Sequence, residues 1–220
     1  MDSTLVGLTP AEHSEMKKWV AIVLLAIATA CSSGGPGNER QGNTETTERV
    51  PLDAQGAPAQ TAGCGIERWA VKTGTDPGAS KVNQTPVPTT VAKLVALAAP
   101  KNPLARVAPT EDTTYQVSAT LTEFKTEADS DYHLVLSSGA KTMIAEIPSP
   151  TCVTGGPLQP GIANARAEFD ARLMSSTGRF QKVNAPVTVT GVGFFDRIHG
   201  QTGVAPNGIE LHPVLDIQFR

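Results

Sequence analysis

Asp131-x-His133 and Glu210-x-His212 are the two places in this 220-residue chain where residue type and spacing could do chemistry together. Side chains two apart on a strand project from the same face, so each pair would offer a carboxylate and an imidazole to one ligand. Imidazole and carboxylate together suit a divalent metal ion. His199, in a Gly-rich loop, is placed to close a site over them. The same histidines also read as scattered residues on solvated strand faces, with no shared role. Glu146, with Arg166 or Arg172, is the further set that a metal-dependent nuclease could use.

Several other patterns fail on their own geometry. Asp129-x-Asp131-x-His133 lacks the Gly and Glu that a calcium loop places at its sixth and twelfth positions; Leu134 and Ala140 stand there. It reads as a hairpin turn. Gly191-x-Gly193 lies inside a strand pattern rather than between strand and helix, so it is not a dinucleotide fingerprint. No Walker loop, HExxH or GxSxG motif is present. From Gly65 onward seven Lys and seven Arg face seven Asp and seven Glu, a neutral balance that disfavours nucleic acid as a partner.

The elements that would position these residues are legible from Tyr115 onward. Tyr115, Val117, Ala119 and Leu121 alternate with polar residues as a half-buried strand does. Tyr132 to Leu136 and Lys141 to Ile147 make a second and third strand. A helix over Ile162 to Met174 follows. Val187 to Phe195 and Ile209 to Phe219 make a fourth and fifth, with Gly191 and Gly193 where the backbone must bend or approach a neighbour. Pro213 implies an edge or a bulge. Upstream, Cys64 to Thr73 reads as a strand and Val91 to Ala99 as a short helix capped by Thr89-Thr90. Three strands, a helix and two strands is the order of an OB-fold: a mainly β, five-stranded barrel (β-β-β-α-β-β), here with an N-terminal strand-helix extension. Its ligand-binding loops would be Lys125 to Asp131 and Asp196 to Asn207. Val117, Leu121, Leu134, Leu136, Ile147, Val189, Leu211 and Ile217 should face its interior, and His133, Glu210 and His212 should face away.

The segment Met16-Lys17-Lys18, an apolar run from Trp19 to Ala28, then Ala28-Thr29-Ala30-Cys31 has the order of an export signal. It resembles the signal of bacterial lipoproteins, although Ala28 stands where those carry Leu. The resemblance implies a lipid on Cys31, a membrane anchor and a place in the cell envelope, the outer membrane where there are two. Without the lipid the protein would be secreted. Residues 1–15 read as an over-extended gene start, 16–30 as signal peptide and 31–63 as a polar tether too poor in apolar residues to fold. The domain is then 64–220. Cys64 and Cys152 remain as a pair in an oxidising compartment, read as a structural disulfide. Ile66-Glu67-Arg68-Trp69 and Gly208-Ile209-Glu210-Leu211-His212-Pro213 are similar to segments of uncharacterised exported bacterial proteins, which implies no activity. These features favour a non-enzymatic binding module for an envelope component or small ligand, with no cofactor expected. The alternative is a metal-dependent hydrolase, a nuclease of OB-barrel type, with a divalent ion.

Overall fold

The computed structural model describes residues 63–173 and 178–220. Cys31, the signal, the tether up to residue 62 and Met174 lie outside the described residues. The elements are α1 (Trp69–Thr73), β1 (Asn83–Thr89), α2 (Val91–Leu94), β2 (Thr113–Thr126), β3 (Tyr132–Ser138), β4 (Lys141–Ile147), α3 (Gln159–Arg172), β5 (Gln181–Phe195) and β6 (Ile209–Phe219). The chain is mainly β. One six-stranded sheet runs in the order β1-β2-β3-β4-β6-β5, and β5 pairs back onto β2, so five of the strands form a closed ring of pairings. β1 lies parallel to β2 and β4 parallel to β6; the remaining pairs are antiparallel.

Alternation along the strands places one set of apolar side chains inside this ring. All eight residues expected there are buried in one cluster, joined by Phe124, Met143 and Val187. α3 closes against it: Pro160 suits its first turn, and Ile162, Ala165 and Phe169 form its buried face. Phe169 meets Phe124 edge-on at 5.2 Å and Tyr132 at 4.9 Å. Gly193 lies where a Cβ would stand 2.7 Å from Thr110 O, and at Gly191 one would stand 2.9 Å from Pro213 O. The register of β5 against β6 shifts at both glycines. At Gly191 the two strands approach too closely for a side chain, at Gly193 the turn at Thr110 leaves no room for one, and Pro213 sits opposite the irregularity.

The N-terminal extension departs from expectation. Cys64 to Thr73 is not a strand: Trp69–Thr73 is a helical turn, closed by Gly74 in the left-handed conformation (φ 67°). β1 is a strand that the sequence hides, because Pro86 and Pro88 lie within it. It is an edge strand, paired only to β2, where missing N–H groups are tolerated. The predicted helix Val91 to Ala99 stops at Leu94. Cys64 and Cys152 are disulfide-bonded, with Cα atoms 5.7 Å apart, tying the extension to the turn after β4.

The extension has a consequence for the outward strand faces. Leu134 and Leu136 of β3 point into the ring, yet His133 and Val135, on its other face, are buried as well. Gly203 of the β5–β6 loop lies so close to Val135 that a Cβ would stand 2.6 Å from its methyl carbon. That loop and α1 form a second layer over β3, β4 and β6, and polar side chains are trapped beneath it.

Candidate functional site

Strand register assembles the trapped residues. His133 pairs with Glu146 across β3 and β4, and Ile144 with Glu210 across β4 and β6. Glu210 and His212 share a face of β6, as their spacing requires. Asp131 ends the β2–β3 turn, with Ser130 at φ 72° turning the chain. Four of the five residues singled out in the sequence therefore converge: Asp131, His133, Glu210 and His212, all buried. The fifth does not. His199 is exposed in the β5–β6 loop, where its backbone N–H donates to Gln201 Oε1, so the expectation that it closes the site is corrected. Thr202, from the same loop, takes that place with its carbonyl.

Glu146 stands at the centre. One of its carboxylate oxygens lies 3.1 Å from His133 Nδ1 and the other 3.0 Å from His212 Nδ1. Glu127 Oε1 also reaches His133 Nδ1 at 3.1 Å, and Glu210 Oε1 reaches His212 Nδ1 at 3.1 Å. His133 Nε2 donates to Thr202 O at 2.9 Å. A carbonyl can only accept, so the proton on Nε2 is assigned by its partner. Asp131 Oδ1 accepts from Ser149 N at 2.9 Å. Asp131 Oδ2 and His212 Nε2 have no hydrogen-bond partner among the described residues, and they face each other at 3.7 Å.

Burial and charge act against each other throughout this cluster. Burial opposes the charge on His133, but hydrogen bonds to Glu127 and Glu146 outweigh it and lift the pKa to about 10. His212 is likewise opposed by burial and raised, to about 9, by Glu146 and Glu210. Burial holds Glu146 up, yet the two histidines bring it well below the usual carboxylate range. Its neighbours lose that contest: burial pushes Asp131 to about 7, and burial with the Glu146 charge pushes Glu210 to about 7. The hydrogen bond from His133 lowers Glu127.

Lys72 of α1 covers the cluster and Arg68, at the N-cap of α1, lies beyond it, and sequence reasoning missed both. Lys72 pairs with Asp196 Oδ1 at 3.5 Å. Burial opposes its charge, but Glu210, Glu146, Asp196 and Asp131 hold it firmly protonated. Arg68 grips Glu111 with both terminal nitrogens, at 3.0 and 2.6 Å, and donates to Phe195 O and Ala105 O. Its backbone is left-handed (φ 48°), a conformation that costs a non-glycine residue about 1 kcal/mol or more and that these bonds hold in place. Phe194 separates Arg68 from the histidines: the guanidinium lies 4.5 Å from its ring centroid and the His212 ring 5.7 Å. The other nuclease candidates do not join Glu146. Arg166 stacks on Tyr132 and donates to Ser130 O and Ile147 O, and Arg172 is exposed.

A different feature opens to solvent on the other side of Arg68. A groove of about 730 Å³ runs between the start of the extension, the connector around Pro103 and the β5–β6 loop. Among the described residues four large apolar side chains are exposed, and three of them line this groove: Ile66 (76% exposed), Leu104 (66%) and Ile198 (52%). Arg197 lies at its edge.

No family model matches the chain, and no curated protein matches it. Among solved structures, one assigned as an aspartyl-tRNA synthetase from Leishmania major Friedlin is similar over 64% of this chain and 22% of its own, at 15% identity and a TM-score of 0.38. The chain thus spans about a fifth of that protein's length. At that level of likeness neither its fold nor its activity is carried across.

Proposed function

We propose that this protein is an exported, non-enzymatic binding module that holds a small, largely apolar ligand in the groove bounded by Ile66, Leu104 and Ile198. The carrying observation is the concentration of exposed aliphatic side chains in that one concave surface. Scattered exposed apolar residues need no explanation, whereas a cluster of them in a groove marks a binding surface. The groove's volume falls within the range of small-molecule sites, ~300–1,000 Å³. Arg197 would meet an acidic group on such a ligand.

The closed ring β2-β3-β4-β6-β5, with α3 between its third and fourth strands in chain order, supports an OB-type barrel. In that fold ligands bind through one sheet face and two loops. Here the β5–β6 loop builds one wall of the groove. The hydrolase alternative draws less support, because the His and carboxylate atoms it would use are buried under α1 and out of a substrate's reach. The lipoprotein-like segment adds the place: a lipid on Cys31, a tether and a domain held at the cell envelope. No described helix is long and apolar enough to cross a membrane.

The test uses anilinonaphthalene sulfonate, an apolar fluorophore carrying an anionic group, titrated into the full chain. Saturable binding at one site is expected. Leu104→Asp and Ile198→Asp should each weaken it about tenfold or more, since burying such a side chain contributes ~1.5–3 kcal/mol. Both side chains are exposed, so the fold should be unaffected. Equal affinity in wild type and both variants would remove the groove as the binding site.

A further inference from the structure

We infer that Asp131, Glu146 and His212 hold a divalent transition-metal ion, zinc by charge and ligand type, as a buried centre beneath α1. These three residues each offer a ligand atom, and the atoms lie within 4.8 Å of one another. The decisive geometry is at His212 Nε2 and Asp131 Oδ2. Asp131 is fully buried and His212 is 1% exposed, and each of these atoms lacks a hydrogen-bond partner. A buried polar atom left unpaired costs roughly 1–3 kcal/mol, so two facing each other require a common partner. At 3.7 Å they are too far apart to bond directly. Two ligands of a tetrahedral zinc ion, each ~2.0–2.2 Å from the metal, stand roughly 3.3–3.6 Å apart. The observed spacing is within reach of that value.

The surroundings are those a metal site needs. Glu210 lies on His212 Nδ1, so with the one ring proton on Nδ1 donating to that carboxylate, Nε2 presents its lone pair. Ser149 N–H fixes Asp131 through Oδ1 and leaves Oδ2 aimed at the histidine. His212 Nδ1 has one proton and two carboxylate neighbours, Glu146 and Glu210. Glu210 suffices for it, so Glu146 is free to turn an oxygen to the ion.

Charge points the same way. Glu127, Asp131, Glu146, Asp196 and Glu210 are five carboxylates facing two lysines, Lys72 and Lys125, and two imidazoles. A divalent ion offsets the excess that protons on both histidines would otherwise have to offset. A mixed imidazole and carboxylate set favours zinc or its neighbours over the all-oxygen shells of calcium and magnesium. A cavity of about 380 Å³ lined by Lys72, Glu127 and Asp129 adjoins the cluster. Burial makes the centre structural, since substrate cannot reach it, and it stands independently of the groove proposed above.

The full chain, prepared without a histidine tag, is analysed for bound metal, stripped with a chelator and titrated with zinc while its Tm is followed. About one zinc per chain is expected, with a Tm that falls on stripping and recovers with zinc. Cobalt titrated into the stripped wild type should give visible bands saturating at one equivalent, a readout that needs no substitution. His212→Asn and Asp131→Asn should each abolish stoichiometric binding. If His212→Asn does not fold, Asp131→Asn, which keeps the volume and the bond from Ser149, decides. A metal content far below one per chain with a Tm that zinc does not move overturns the inference, and would leave a buried water as the shared partner. Unchanged zinc affinity in Asp131→Asn overturns it equally.

Discussion

His212 and Asp131 face each other across 3.7 Å of buried space, each fixed by its other polar atom and neither satisfied by the one between. His212 is held through Nδ1 by Glu210, and Asp131 through Oδ1 by Ser149. The arrangement orients both groups toward a point that neither occupies. It also explains why a cluster so costly to bury is closed rather than open.

Glu210 should therefore matter for metal affinity without touching the ion. Glu210→Gln keeps the shape but weakens the acceptor on His212 Nδ1. Zinc affinity should fall about 10–100-fold, the usual effect of losing such an orienting partner. Competition with a coloured chelator measures it. An affinity equal to wild type would mean that Glu210 does not set the tautomer of His212.

Stability of the metal-stripped protein should depend on pH in a direction set by the same groups. His133 and His212 have folded-state values of about 10 and 9 against an ordinary 6.5. Their contribution is complete below pH 6.5 and is lost as pH rises through 9 and 10. Asp131 and Glu210, raised to about 7, contribute below their ordinary values of 3.8 and 4.5 and lose that contribution as pH climbs to 7. Glu127 and Glu146 are lowered, so theirs is present above 4.5 and lost as pH falls. Lys72, Asp196, Lys125 on Glu127 and Asp129 beside Asp131 are the other charges facing the cluster. The stripped protein should be most stable near about pH 5 and weaken steadily toward pH 10. Thermal melts across that range, with chelator present, test the sign; rising stability from pH 5 to 9 would contradict it.

The Arg68–Glu111 pair, beside the groove, predicts a large effect on stability. Arg68→Met leaves Glu111 fully buried with its partner gone, which should cost about 3–5 kcal/mol in urea unfolding. The double variant Arg68→Met with Glu111→Gln should lose less than the sum of the two single changes, since the residues share one network. Strict additivity would show that they act separately.

The disulfide closes a loop of 88 residues. The chain-entropy account gives ~4–5 kcal/mol for a loop of that length. Replacing Cys64 and Cys152 with Ala should lower stability by about that amount, with the native sheet retained. Alkylation of the untreated protein followed by mass spectrometry checks the bond itself; two modified cysteines at these positions would rule it out.

The interior of the sheet was open to reading because it depends on local alternation. β4 and β6 have the bounds that their apolar periodicity implies, and the eight expected interior residues are all buried. The outward faces were not. His133, Glu210 and His212 alternate with apolar residues as solvent-facing side chains would, and what buries them comes from elsewhere in the chain: α1, some 60 residues before β3, and the β5–β6 loop. Leu134-Val135-Leu136 was the local sign, since an unbroken apolar run marks a strand covered on both sides. Glu146 could have been placed by pairing β3 with β4, which sets it opposite His133. Lys72 and Arg68 carried no such sign, because they follow from a helical turn in a segment that reads as a strand. β1 stayed hidden behind Pro86 and Pro88.

Methyl NMR of the full chain during titration with anilinonaphthalene sulfonate tests most directly whether binding belongs to the groove and leaves the buried histidine cluster untouched. Shifts should concentrate on the methyl groups of Ile66, Leu104 and Ile198, with Val135, beside His133, unmoved. Shifts centred on Val135, with the three groove residues silent, would contradict it.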